Sequence, residues 1–401
     1  MKPRALVIEP DLSGYRWRYV QWTIEALVEA GYECMLWTQP RDRDHPLILG
    51  YQVARAAVTV VTDRERGRRL ARPSAWLNAA GMGFGFYAAF ASLYRHLTRS
   101  SRLDLVVVPD GDYLLNAVGV LGSPFGATRW MCIAMRQSFH LRDMGVRAPR
   151  RPLAQLLFKR LFYRALRGGN LSAVLTIDPT LSIWHARTSS GGQYPPVHYL
   201  EGPYPDADRV EQHEARARLG IGGERCILVY GTVSDGKGIK ELLYACMRRD
   251  EHPLILIAGE QTKDVRSFID SIGGALFSRI KVYDQFISPE MEADLFCACD
   301  AVWVGYKRHY GMSGVLAQAH RYGKTVIATD SGLIGWCAKR DGLGPLLRNL
   351  SARSINTAID EAFELDGTHR GGALQWDGAE PVSSDTVNHF KKIVQTTLAS
   401  G

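Results

Sequence analysis

A chain of 401 residues is too long for one ordinary hydrophobic core, and two domains are expected. Its 46% apolar and 22% charged residues are those of a folded globular protein and exclude global disorder. Charge is uneven: residues 1–200 carry 26 Lys and Arg against 14 Asp and Glu, residues 201–401 carry 23 against 27, so the first half should face an anionic partner. Zinc-finger spacing, an RNA-recognition signature and a basic region joined to heptads are all missing, which argues against nucleic acid. An anionic membrane surface or a phosphate-bearing acceptor fits the basic half better. The seven cysteines are scattered, and Cys297 and Cys299 lack the spacing of a metal or redox pair, so reduced thiols are expected. The apolar run Ala5 to Ile8 is too brief for a signal peptide, and a cytoplasmic protein is expected.

In chain order, Ala5 to Ile8 predicts a strand, and the periodic stretch Tyr19 to Ala30, closed by Gly31, predicts a helix. Further strands are predicted at 33–38, 57–62, 103–109, 129–135 and 173–177, with helical patterns between several of them. The uncharged run Trp76 to Tyr94 could just span a bilayer by length. It is rich in Gly and Ala, however, and a buried helix is the expected outcome. In the second half, strands are predicted at 226–230, 254–258, 280–283, 301–304 and 325–328, with helices after Lys237, Thr262, Pro289 and Ser313. Alternation of this kind predicts parallel sheets covered by helices. The Pro-bearing stretch 202–208 reads as the linker, giving domains at 1–202 and 203–380. A C-terminal helix within 381–401 is expected to pack back on the first domain. The cleft between the halves is the expected ligand site.

Two turns carry the chemistry. Strand Cys226 to Tyr230 runs into Gly231-Thr232-Val233-Ser234-Asp235-Gly236-Lys237-Gly238, and Tyr310-Gly311-Met312-Ser313-Gly314 opens a helix through Gln318. A lysine between glycines and the amide groups of a helix start are both suited to phosphate. With Leu254 to Gly259 and Gly323-Lys324-Thr325-Val326-Ile327-Ala328, this pattern resembles the GT-B glycosyltransferases. The resemblance is to the large retaining family that includes bacterial polysaccharide and lipopolysaccharide transferases, and it covers nearly the whole chain. It implies two Rossmann-like α/β domains, a nucleotide diphosphate sugar held by the second and an acceptor held by the first. It also implies transfer of a hexose with retention, in bacterial surface polysaccharide synthesis, by a protein peripheral on the inner face of the membrane. UDP is the expected nucleotide carrier, with no cofactor or metal required.

Departures from the family pattern matter as much. The family arginine that accompanies Lys237 on the diphosphate is Thr232 here, which removes a cationic fork. Lys307 and Arg308, just before Gly311, are the candidate substitutes. The paired family glutamates correspond to Tyr310 and Gln318; Gln318 can still serve ribose hydroxyls, and Tyr310 cannot replace a carboxylate. Relatives bring a glycine loop to the donor phosphates where Gly14 stands. They also place a histidine against the reacting sugar near His140, for which a satisfied structural role is the alternative. Ser313 and Gly314 read either as donor contacts or as an ordinary helix cap.

The expected donor set is thus Gly14, Gly231, Thr232, Lys307, Tyr310, Gly311, Ser313, Gly314 and Gln318, with Lys237 and His140 as catalytic candidates. Asp110-Gly111-Asp112 has the form of a metal-holding D-x-D, but Asp-Gly-Asp is more often a turn. Asp112 is kept as an acceptor-side candidate. Arg160, Arg164 and Arg167 share one face of the helix after Pro152, opposite Phe158, Leu161, Phe162 and Ala165. They are candidates for a lipid or lipid-linked acceptor, or for a solvated face. Two rival functions remain open: a GT-B sugar-nucleotide epimerase, and a non-catalytic relative acting as a binding or scaffold protein.

Overall fold

The computed structural model describes residues 2–12, 16–54, 57–61, 83–189, 194–200, 210–273, 276–365 and 386–399. They form two compact units. Unit 1 takes residues 1–144, 150–203 and 386–401; unit 2 takes 145–149 and 204–385.

In unit 1 the strands are β1 (Arg4–Ile8), β2 (Glu33–Trp37), β3 (Val58–Val61), β4 (Leu105–Val108), β5 (Arg129–Ala134), β6 (Leu171–Thr176) and β7 (Val197–Tyr199). They pair in the order β3-β2-β1-β4-β5-β6-β7, every pair parallel. Its helices are α1 (Arg16–Glu29), α2 (Pro46–Ala54), α3 (Phe84–Leu97), α4 (Leu115–Leu121), α5 (Pro152–Gly168) and α6 (Pro179–Thr188), with α14 (Thr386–Ala399) added from the far end of the chain.

Strand residues alternate between two apolar layers, because successive side chains point to opposite faces. Leu6, Ile8, Val106, Val108, Trp130 and Cys132 join Phe90, Phe162 and Trp184 on one side. Ala5, Val7, Leu105, Val107, Met131 and Ile133 join Tyr19, Trp22 and Phe390 on the other. A sheet buried on both faces reads as continuous apolar runs, which is why these strands carry no polar alternation. The helix α14 closes the second layer. Its Phe390 is fully buried, with its ring 6.2 Å from Tyr19 and 6.4 Å from Trp22, and Lys391 reaches Glu25 and Glu29 at 2.8 Å each.

The run predicted as a buried helix from 76 to 94 begins outside the described residues. Its later part forms α3, which buries Phe90, Leu93 and Leu97. No helix among the described residues is long and apolar enough to cross a membrane.

Unit 2 is built on β8 (Cys226–Tyr230), β9 (Leu254–Ala258), β10 (Ile280–Tyr283), β11 (Ala301–Val304), β12 (Thr325–Thr329) and β13 (Leu346–Leu347), in the order β10-β9-β8-β11-β12-β13 and again all parallel. Its helices are α7 (Gln212–Leu219), α8 (Ile239–Cys246), α9 (Lys263–Asp270), α10 (Pro289–Ala298), α11 (Gly314–Arg321), α12 (Gly332–Arg340) and α13 (Ala352–Glu364). One buried carboxylate organises the amino end of this sheet. Asp300, 3% exposed, accepts Arg216 Nη2 on its two oxygens at 2.9 and 2.8 Å, Gln212 Nε2 at 2.9 Å and the Cys226 amide at 2.7 Å. That holds α7 to the starts of β8 and β11.

Each sheet changes winding direction once, between β1 and β4 in unit 1 and between β8 and β11 in unit 2. In open parallel sheets ligands bind beyond the carboxyl ends of the strands at such a reversal.

Candidate functional site

At the reversal in unit 2, the loops leaving β8 and β11 are stitched to each other. Trp303 Nε1 donates to the Lys237 carbonyl at 2.7 Å, and the Lys307 amide donates to the Gly236 carbonyl at 2.8 Å. Between them Gly238 has φ +67°, and a Cβ there would stand 2.2 Å from the Gly305 carbonyl oxygen. Only glycine allows both that backbone conformation and that approach. A short 3₁₀ turn, Asp235–Lys237, therefore projects the lysine at the carboxyl edge of the sheet, with α8 starting directly behind it.

Half-buried Lys237 donates from Nζ to the Tyr230 carbonyl and lies 5.2 Å from the centre of the Tyr306 ring. Gly231, at φ +85°, keeps the space beside it open: a Cβ there would lie 3.1 Å from Lys237 Nζ and 4.0 Å from Val315, in the first turn of α11. Gly231, the Lys237 ammonium and the α11 start thus converge. Ser313 caps that helix, its hydroxyl accepting from the Leu316 amide at 3.3 Å. It is 5% exposed, whereas Gly311 and Gly314 are partly open and Thr232 is exposed.

Lys307 is arranged differently from a free cation. Its ammonium lies 2.7 Å from Asp235 Oδ2 and 2.8 Å from Glu241 Oε1, and these hydrogen bonds and charges raise its pKa against the opposing effect of burial. Its charge is already matched within the loop pair, which it braces. Arg308 is exposed, with φ +51°.

Gln318 is 4% exposed and donates from Nε2 to Glu292 Oε1 at 2.6 Å, while Glu292 Oε2 accepts from the Tyr230 hydroxyl. A carboxylate therefore stands beside position 318 after all, supplied by α10. Sequence reasoning missed Glu292, because Pro289-Glu290-Met291-Glu292 reads as the acidic first turn of a surface helix. It missed Tyr306 as well. Tyr310 is half-buried, and its carbonyl accepts the Leu333 amide at 3.0 Å. Beside it, Gly332 at φ +68° donates its amide to the Arg147 carbonyl, and Arg147 pairs with Asp330.

The reversal in unit 1 is ringed by charge. Asp110, 1% exposed, receives Arg136 Nη2 on both oxygens at 2.9 and 2.8 Å. Burial, reinforced by the Asp112 charge, outweighs Arg136 and lifts the Asp110 carboxyl from its ordinary 3.8 to about 6. Glu9, also 1% exposed, is pushed well up by burial and then by Asp110; its Oε1 accepts the Asp11 amide, and Oε2 has no hydrogen-bond partner among the described residues. Asp112 accepts the Met135 and Arg136 amides at 2.8 Å each and Gln137 Nε2 at 2.6 Å. Its carboxylate is spent on pinning the loop after β5, and Asp110-Gly111-Asp112 is a structural turn here.

His140 does not lie open to a ligand. It is fully buried, with Nε2 2.9 Å from Asp178 Oδ2 and 3.0 Å from the Thr180 hydroxyl, among Phe139 and Trp184. Asp178 in turn caps α6. Gly14 lies outside the described residues. Arg160 and Arg164 are exposed on α5, whereas Arg167 lies 4.9 Å from the Tyr194 ring centre. Among the described residues no group of His, Cys, Asp and Glu is arranged to hold a metal.

No protein-family model matches the chain, and no curated protein matches it in sequence. Solved structures do match over the full length. Sucrose-phosphate synthase from Thermosynechococcus elongatus superposes with a TM-score of 0.64 at 15% identity, covering 100% of this chain and 98% of that one. Anabaena HepE, in complex with UDP and glucose, gives 0.60 at 14%, covering 100% of both. WaaG, a glycosyltransferase involved in lipopolysaccharide biosynthesis, gives 0.58 at 14%, covering 99% and 95%. The chain has the GT-B fold of these proteins, two parallel-sheet domains of seven and six strands.

Proposed function

We propose that the protein transfers a sugar from a nucleotide diphosphate sugar to a hydroxyl of a glycan or lipid-linked acceptor, with retention at the anomeric carbon. The observation that carries this reading is the convergence, at the winding reversal of unit 2, of Gly231, the Lys237 ammonium and the first turn of α11. HepE, which shares the fold, binds UDP and glucose, and that supports a uridine nucleotide as the first donor to test.

An ammonium offers three donors; Lys237 spends one on the Tyr230 carbonyl and has two for phosphate oxygens. As the bond from the anomeric carbon to the diphosphate breaks, negative charge grows on the leaving oxygen. In this reading Lys237 and the amides opening α11 neutralise it. Lys307 acts through position, holding the Asp235–Lys237 turn by its two carboxylate pairs. In this reading Gln318, whose Nε2 is anchored by Glu292, would serve the ribose hydroxyls. Surface polysaccharide synthesis, at the cytoplasmic side of the membrane, is the setting we propose.

The test is transfer of labelled sugar from UDP-glucose and a panel of other nucleotide sugars to glycan and lipid-linked acceptors, after a thermal-shift screen has selected the donor. Lys237→Ala is expected to lower turnover by about 10²–10³-fold with its melting temperature little changed. Unchanged turnover in that variant removes Lys237 from the scheme. Isomerised donor in the absence of acceptor would replace transfer by epimerisation.

A further inference from the structure

A cavity at the amino end of the first sheet belongs to neither winding reversal. It has a volume of about 670 Å³ and lies between the last turn of α3 and the segments leading into β4 and β5, lined by Tyr94, Thr98, Ser100, Asp104, Thr128 and Arg129 among others. That size is ordinary for a small-molecule site. The reversals, by contrast, lie at the carboxyl ends of the strands.

The hydrogen bonds of its wall fix which chemistry it offers, because a hydroxyl has a single proton to give. Thr128 gives its proton to the Leu103 carbonyl at 3.3 Å, so the 2.6 Å contact between Thr128 and Tyr94 uses the proton of the tyrosine. Thr98 and Ser100 give theirs to the Tyr94 and Leu97 carbonyls at 2.9 and 3.3 Å. These protons are spent within the protein, and the Tyr94, Thr98 and Ser100 oxygens are left as acceptors. Asp104 adds a carboxylate: Oδ2 accepts the Arg4 amide at 2.9 Å, and Oδ1 meets exposed Arg102 Nε at 3.2 Å. Arg129 is half-buried and has no side-chain partner among the described residues. A guanidinium drawn out of water in this way is costly unless an anion meets it.

We propose that this cavity binds an acidic saccharide, a sugar bearing a carboxylate or a phosphate, with Arg129 on the anionic group and Tyr94, Thr98 and Ser100 accepting from the sugar hydroxyls. Acceptor oxygens call for O–H donors, and an unpaired guanidinium calls for an anionic oxygen; one molecule that carries both is a sugar acid or a sugar phosphate. A bare inorganic anion would satisfy Arg129 alone and would meet the Asp104 carboxylate. A neutral sugar would leave Arg129 unpaired. The wall is already in place for the ligand: the Tyr94 ring packs edge-on against fully buried Phe125, with centres 5.8 Å apart, so little ordering is needed on binding. This does not rest on the transferase reading, because holding a saccharide here needs no donor beside Lys237.

The experiment is calorimetric titration of the full chain with glucuronate, glucose 6-phosphate, glucose and inorganic phosphate. Glucuronate or glucose 6-phosphate is expected to bind at least about tenfold more tightly than glucose or inorganic phosphate, and the tighter of the two identifies the anionic group. R129Q should weaken that binding at least about tenfold. T98V keeps the shape of the side chain and removes one acceptor, and it should cost about threefold to tenfold. Circular dichroism melting checks that both variants remain folded. K237A is expected to bind the acidic sugar as the parent does, which separates this cavity from the donor site. The proposal is overturned if neither acidic sugar binds more tightly than glucose, if inorganic phosphate binds as tightly as both, or if R129Q and T98V bind like the parent. Loss of binding in K237A also overturns it, since the sugar would then occupy the donor site.

Discussion

Asp110 shows how a single residue can make this protein respond to pH. Its carboxyl is buried beside Asp112 and is raised from its ordinary 3.8 to about 6, despite Arg136 Nη2 donating to both its oxygens. A raised acid pKa means that the folded chain holds the proton more tightly than the unfolded chain. The Asp110 contribution is therefore fullest below pH 3.8 and is lost as pH rises to about 6. Denaturant midpoints measured across that window should show Asp110→Asn gaining stability relative to the parent as pH increases, with the difference level above it. A constant difference across the window would refute the linkage.

Residue roles were unevenly legible for the same physical reason: sequence shows residue type and spacing, whereas roles follow from partners. Lys237 between glycines was legible because the backbone around it needs one of them, Gly238. The burial of His140 against Asp178 was not, since 38 positions separate them. Nor was the pairing of Lys307 with Glu241, 66 positions away.

At the scale of elements, the turn from β8 into α8 depends on one backbone position. Gly238 combines φ +67° with a Cβ position 2.2 Å from the Gly305 carbonyl, and backbone cannot yield as a flexible side chain can. Gly238→Ala is expected to destabilise the protein by about 2–3 kcal/mol and to weaken donor binding, because strain and collision add. Urea unfolding, with nucleotide titration alongside, measures both. Gly236→Ala is the control: the nearest atom to its added Cβ is the Ser234 hydroxyl oxygen at 3.5 Å, an ordinary contact.

The long buried strands were readable from their apolar runs, and β1, β4, β8, β9 and β11 lie within a residue or two of the predicted spans. The edge strands β7 and β13, three and two residues long, were not anticipated, being too short to show any period.

On the scale of the whole molecule, the parallel α/β architecture was legible because alternating strand and helix patterns admit few other solutions. The membership of the units was less so. Residues 145–149, between β5 and α5, belong to unit 2, where Arg147 meets Asp330 and Gly332. The C-terminal helix, by contrast, was expected against the first domain; residues 386–399 lie in unit 1, where Phe390 fills the layer beneath α1. Phe390→Ala is expected to cost about 3–5 kcal/mol, since a fully buried ring leaves a cavity. Hydrogen exchange should localise the loss to α1 and β1 and leave β8, β9 and β11 protected. A uniform loss over both units would mean that they unfold as one.

The placement of α14 also sets an order of assembly on the ribosome. Everything from residue 204 to residue 385 is synthesised before the helix that covers Tyr19 and Trp22 emerges. During that interval the nascent first sheet carries an uncovered aromatic surface, so a chaperone that shields apolar chains should engage the polypeptide there and release it once α14 has docked.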